Sequence, residues 1–254
     1  MKKLAFLFLF FSLALYAKTI SIAITPVPYG DIMKFSAPMF KERGYELKVI
    51  EFTDYSIPNK ILLDKQVDAN LFQHKPYLDE FNRANKSNLA TLASIAIFPM
   101  AVYSQKIKDL KDVKEGFTVA IPNDPTNESR ALELLESAKL IELDKKIKLK
   151  TPLNIVKNPF KLKFKELKAA QVPRALDDVD IAVINTDYAL DFGLNPKKDS
   201  IYLEDPNSPY ANFVVVRAED INSEKSKVIK EILNSPQVKD FILKNYSDST
   251  IPTF

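Results

Sequence analysis

The stretch TISIAITPVPYGDIMKFSAPMFKERGYELKVIEF, residues 19–52, decides the fold. Thr19 to Ile24 alternates at period two in the manner of a strand, then stops at the turn-rich Thr25-Pro-Val-Pro-Tyr-Gly30. Ile32, Phe35, Met39 and Phe40 recur at helical spacing through Pro38, and Arg43-Gly44 offers a helix stop. Glu46 to Phe52 is a second strand, and Thr53-Asp-Tyr-Ser-Ile-Pro-Asn59 opens a helix carrying Ile61, Leu62 and Leu63. This order of strand, helix, strand, helix is the signature of a mostly parallel sheet, so the chain is expected to be α/β.

The same alternation runs on. Ala69 to Phe72 is a short strand, Lys75-Pro76 starts a helix through Phe81, and Leu92 to Tyr103 is a long apolar extended run interrupted by Pro99. Phe117 to Ile121 is a strand, Asn123 to Asn127 a loop, and Ala131, Leu134, Leu135 and Ala138 mark one face of the next helix. Phe160 to Lys165 alternates as a strand with one buried face, Ala169 to Leu176 is a short helix, and Ile181 to Ile184 is a buried strand. Phe213 to Val216 is a returning strand, followed by helices around Val228 to Leu233 and Val238 to Tyr246. The pattern predicts two α/β lobes joined by a two-strand hinge, with lobe I formed by residues 18–107 and 211–254 and lobe II by 108–210. The chain leaves the first near Tyr103 to Lys114 and returns near Asp205 to Asn212, and a junction of this kind is where small-ligand clefts sit.

Ahead of this lies MKKLAFLFLFFSLALYAK, in which Lys2 and Lys3 precede an apolar run that ends at Tyr16-Ala17, the layout of a secretory signal expected to be cut after Ala17. Cleavage removes two lysines from a formal net charge of +3, leaving +1, so no concentrated basic face points to nucleic acid. The absence of cysteine excludes disulfides, thiolate zinc sites and cysteine nucleophiles, and a single histidine excludes a multi-histidine metal site.

Three places concentrate groups that can recognise a ligand. In Pro122-Asn-Asp-Pro-Thr-Asn127-Glu-Ser-Arg130 a strand ends and a helix starts, so free N–H groups and a guanidinium offer a site for a carboxylate. A plainer reading has Asn127 or Thr126 capping the helix and Arg130 in a surface ion pair. Phe72-Gln73-His74-Lys75-Pro76-Tyr77 gathers rings at the end of a strand, suited to a thioether or other apolar tail, or simply to an aromatic core with a hydrogen-bonded histidine. Asn185 and Asn212 lie where the cleft is expected; an asparagine carbonyl accepts from an α-ammonium, though asparagine also favours turns and caps. No nucleophile elbow, phosphate loop or glycine-rich loop supplies an enzyme's machinery, and Asp177-Asp178-Val179-Asp180 reads as a solvent-facing turn.

Together FTDYSIPNKIL, DANLFQHKPYLDEFN, VAIPNDPTNESRALELL, AAQVPRALDDVDIAVINTDYAL and LEDPNSPYANFVVVR resemble the NlpA/MetQ family of methionine-binding proteins over nearly the whole chain that follows the signal. The resemblance implies a periplasmic-binding-protein fold that closes on L-methionine, D-methionine or a methionyl dipeptide and delivers it to a membrane permease and its ATPase. It implies that Arg130 grips the ligand carboxylate, helped by Asn127, and that Asn185 and Asn212 hold the amino and carboxylate groups. Tyr55, Phe72, His74 and Tyr77 then line the side-chain pocket. It implies a monomer without cofactor, metal or catalytic role. Two departures stand out. Most members carry a cysteine at the cleavage site where this chain has Ala17-Lys18, which predicts a protein free in the periplasm, and Asp187 replaces a residue that is often neutral. The rival readings are the same fold holding another small amino acid, dipeptide or organic anion, and an adhesin or antigen that reuses the scaffold.

Overall fold

The computed structural model describes residues 18–254. The expected signal and its cleavage site at Ala17 therefore lie outside the described residues. The first half of the chain runs β1 (Lys18–Ile24), α1 (Tyr29–Glu42), β2 (Tyr45–Glu51), α2 (Pro58–Leu63), β3 (Ala69–His74), α3 (Lys75–Asn85), β4 (Ala90–Ile97), β5 (Ala101–Tyr103), β6 (Thr118–Pro122) and α4 (Pro125–Ser137). The second continues with β7 (Glu142–Leu143), β8 (Ile155–Lys157), β9 (Lys163–Leu167), β10 (Ile181–Ile184), α5 (Thr186–Asp191), α6 (Pro196–Asp199), β11 (Tyr202–Leu203), β12 (Ala211–Val216), α7 (Glu224–Leu233), α8 (Pro236–Tyr246) and β13 (Ile251–Pro252).

Two sheets carry the molecule. The first has the order β13-β4-β12-β3-β1-β2 and the second β11-β5-β10-β6-β9. In the first, β1 lies parallel to β2 and β3, while β12 returns antiparallel between β3 and β4. The alternation of the opening strand sends Ile20, Ile22 and Ile24 into one core with Ile32, Met33 and Phe40 of α1 and Ile229 and Ile242 of the last helices. Ala23 faces the other way, against Leu62 and Leu78. Phe35 is the exception to the helical face read from spacing: it sits at the rim and stacks on Phe241 at 4.5 Å. Gly44 ends α1 as expected, at φ +77°, with open space where a Cβ would project. The cost of a side chain there is therefore a backbone cost alone, and Gly44→Ala should lower stability by about 1–2 kcal/mol. Chemical denaturation checks this, and Gly44→Asn should lose less because asparagine tolerates the left-handed region.

The structure corrects the sequence reading at three points. The extended run from Leu92 to Tyr103, interrupted by Pro99, is two strands in two sheets, because β4 pairs with β12 in the first and β5 with β10 and β11 in the second. The chain crosses at Phe98-Pro99-Met100, so 101–107, expected in lobe I, travels with the second sheet. Pro99 has no N–H to give a ladder, which makes it a natural break between pairings. The chain passes back to the first sheet between β11 and β12. The helix expected over Ala169 to Leu176 is two short 3-10 turns, Ala169–Gln171 and Pro173–Ala175, because Pro173 cannot donate to continue an α-helix. The strand expected from Phe160 starts at Lys163, after Lys161 turns the chain at φ 47°.

Candidate functional site

The sheet ends build the site. Phe72, Gln73 and His74 close β3, Asn127 and Arg130 lie in the helix that follows β6, Asn185 to Asp187 follow β10, and Asn212 opens the returning β12. These are the carboxyl ends of parallel strands and the two crossovers, where open α/β sheets leave a crevice. All eight residues singled out from the sequence (Tyr55, Phe72, His74, Tyr77, Asn127, Arg130, Asn185 and Asn212) line one cavity, joined by Gln73, Phe98, Thr186 and Asp187. The space between them, open solvent included, is about 320 Å³.

Arg130 is buried in an ion pair. It lies in the second turn of α4, its side chain only 4% exposed, so it is no surface ion pair. Its Nε and Nη2 donate to the two carboxylate oxygens of Glu204 at 2.9 and 2.5 Å, and Nη2 also donates to the Phe98 carbonyl at 2.9 Å. The Tyr210 ring covers the guanidinium, 4.2 Å from its carbon. The forked face is thus occupied by the protein, and among the described residues Nη1 alone makes no hydrogen bond. The helix start is likewise already satisfied. Asp124, rather than Asn127 or Thr126, is the N-cap, accepting from the Asn127 N–H at 3.0 Å. The anion site read from the bare helix end therefore loses the Asn127 N–H and the fork of Arg130.

A chain of amides and one imidazole crosses between the sheets. His74 Nδ1 accepts from the Tyr77 N–H at 3.1 Å and so caps α3. That leaves the proton on Nε2, which donates to Asn127 Oδ1 at 3.2 Å. The same oxygen accepts from Asn185 Nδ2 at 2.8 Å, while Asn127 Nδ2 donates to both oxygens of Asp124. Burial, with the positive charge of Arg130 adding to it, pulls His74 down to about 3, so it stays neutral. His74 and Asn127 are committed to one another, whereas Asn185 Oδ1 is buried without a partner among the described residues.

Asn212 donates to Tyr29 Oη at 2.6 Å and to the Phe72 carbonyl at 3.3 Å. The rings of Tyr55, Phe72 and Tyr77 form one wall, with centroids 5.5 to 6.1 Å apart, and edge-to-face contacts among them hold its shape. Asp187 lies against that wall: it accepts from Tyr55 Oη at 2.6 Å, Thr25 Oγ1 at 3.2 Å and the Tyr188 N–H at 3.0 Å. Desolvation outweighs those donors and raises its carboxyl to about 6. By contrast Asp177, Asp178 and Asp180 form the expected turn, in which Asp180 binds Thr118 and Lys106.

Sequence reasoning missed Glu204 and Tyr210, which hold Arg130, as well as Phe98 and Thr186. Thr186 Oγ1 donates to the Pro99 carbonyl, and Met100 N–H to Glu204 at 3.1 Å, so both crossovers are tied to the site. Local pattern carries no signal for Glu204 or Tyr210, because each meets Arg130 from a distant part of the chain.

Two α/β lobes with a buried polar and aromatic cavity at their junction define a solute-binding protein of the periplasmic-binding-protein fold. The chain belongs to the NlpA lipoprotein family, whose sequence pattern matches residues 20–254. It is 40% identical over 241 residues to the methionine-binding lipoprotein MetQ of Bacillus subtilis, covering 92% of this chain and 88% of that one. A nutrient-binding protein from Burkholderia cenocepacia, solved bound to methionine, superimposes with a TM-score of 0.90 at 43% identity, over 92% of this chain and 100% of that one. A periplasmic substrate-binding protein of an ABC transporter from Coxiella burnetii gives 0.88 at 41% identity, over 92% and 100%.

These findings overturn one expectation. Freedom from the membrane, inferred from Ala17-Lys18 at the presumed cleavage site, does not stand. The family is one of lipoproteins and its curated members carry that name, and a lipoprotein is held at a membrane by its acyl chains.

Proposed function

We propose that this chain is the substrate-binding subunit of an ABC importer and that its cavity takes methionine, which it passes to a membrane permease and ATPase without chemistry on the ligand. One observation carries the reading: Arg130 with its spare Nη1, Asn185 with its unpartnered Oδ1 and the wall of Tyr55, Phe72 and Tyr77 line a single space. A donor for a carboxylate, an acceptor for an ammonium and rings for a thioether are what that amino acid presents. The names of the Bacillus and Burkholderia proteins support the same assignment. In this reading Arg130, Asn185 and Asn212 touch the head of the ligand. His74 and Asn127 fix the position of Asn185, and the rings enclose the tail.

Native mass spectrometry of freshly purified protein tests it. A single adduct with the mass of methionine, or gained on adding L-methionine, D-methionine or a methionyl dipeptide, is the expected result. A persistent adduct of another mass, or no adduct with any of these, would reject methionine as the solute.

A further inference from the structure

We infer that Asp187 is the counter-charge for a cationic group of the bound solute, so that the cavity selects a zwitterion over the same molecule stripped of its amino group. The inference rests on the functional reading above and names how that site discriminates.

Asp187 is buried and lines the cavity, and among the described residues no lysine, arginine or histidine nitrogen lies within 4.0 Å of its carboxylate. A carboxylate taken out of water without a cation is strongly disfavoured, and hydrogen bonds from Tyr55, Thr25 and Tyr188 relieve only part of that penalty. Those three donors leave an acceptor position unused on a group that offers about four. Two residues earlier, Asn185 lines the same cavity and carries a side-chain oxygen that has no donor among the described residues. Two neighbouring acceptors that lack donors call for a ligand group rich in N–H, and an ammonium supplies three. The raised carboxyl value, about 6, is what an unneutralised buried acid shows before its partner arrives. Arg130 lines the same cavity, so it presents one charge of each sign and matches a zwitterion.

The competing account makes Asp187 structural, a first-turn carboxylate of α5 that orders Tyr55. Calorimetric titration of the full chain with L-methionine and with its desamino analogue, which keeps the carboxylate and thioether but lacks the amino group, separates the two. Wild type should prefer methionine by about 30-fold or more. Asp187→Asn should bring the two affinities close together by weakening methionine while leaving the analogue unchanged. Tyr55→Phe, which keeps the carboxylate, should retain the preference. Equal affinities in wild type would overturn the inference without need of any variant. So would equal losses on both ligands in Asp187→Asn, an unchanged preference in that variant, or loss of the preference in Tyr55→Phe. Wild type that binds neither compound would sink the functional reading and this inference with it, an outcome distinct from a failure of Asp187 alone.

Discussion

Arg130→Ala is expected to lower the free energy of unfolding by about 3–5 kcal/mol, apart from any effect on ligand binding. The reason is what the substitution leaves behind. Glu204 has a side chain only 10% exposed, and its oxygens are spent on the guanidinium and the Met100 N–H. With Arg130 gone, that charge stays buried beside one remaining donor, and the Phe98 carbonyl loses its partner as well. Urea denaturation of the single variants and of Arg130→Ala/Glu204→Ala measures the coupling. The double variant should be more stable than Arg130→Ala, because removing both charges also removes the unpaired one. A loss below about 1 kcal/mol in the single variant would mean that water reaches Glu204 and that the pair is no clamp. On the functional reading Arg130→Ala also abolishes solute binding, since Nη1 is the spare cationic donor in the cavity. Glu204→Gln should keep measurable binding while loosening the fork.

The second large effect is a dependence on acid that belongs to one residue. The unfolded chain binds a proton on His74 near the ordinary histidine value of 6.5, whereas the folded protein resists doing so until about 3. Stability contributed by neutral His74 is therefore complete above the unfolded value and is lost as the pH falls toward the folded one. Compared with His74→Asn, which keeps an acceptor for the Tyr77 N–H but has no titrating group, wild type should lose about 3 kcal/mol of advantage between roughly pH 8 and pH 4. The comparison must be made as a difference between the two proteins. Asp187, held near 6 by burial, acts in the opposite sense, since its raised value favours the fold in acid and loses that contribution as the pH rises toward 6. Subtracting the variant cancels Asp187 and every other common group. A margin that stays constant across this range would show that His74 takes up its proton in the folded state as easily as in the unfolded one.

Much of the architecture was legible because it is written in short-range pattern. The period of the Thr19 to Ile24 strand, the helical spacing from Ile32 to Phe40 and the stop at Gly44 each depend on neighbours within a few residues. The quoted blocks likewise placed Arg130, Asn185 and Asn212 in one family pattern, and the cavity gathers them. Errors fell where two pairings compete for one apolar run. Leu92 to Tyr103 reads as one extended run with a break at Pro99, and that its halves join different sheets is decided by pairing partners far along the chain.

What the sequence determined by itself was the α/β order, the family and the residues able to meet at a cleft, since spacing and side-chain chemistry are properties of the chain. Which atoms remain free was settled only by tertiary structure. Glu204 takes the fork of Arg130, Asp124 takes the Asn127 N–H, and His74 takes the Asn127 carbonyl, leaving Nη1 of Arg130 and the Asn185 side-chain oxygen without partners among the described residues that line the cavity. A hydrogen bond saturates the groups that make it, so the donors and acceptors open to a solute are those left over after distant segments have packed.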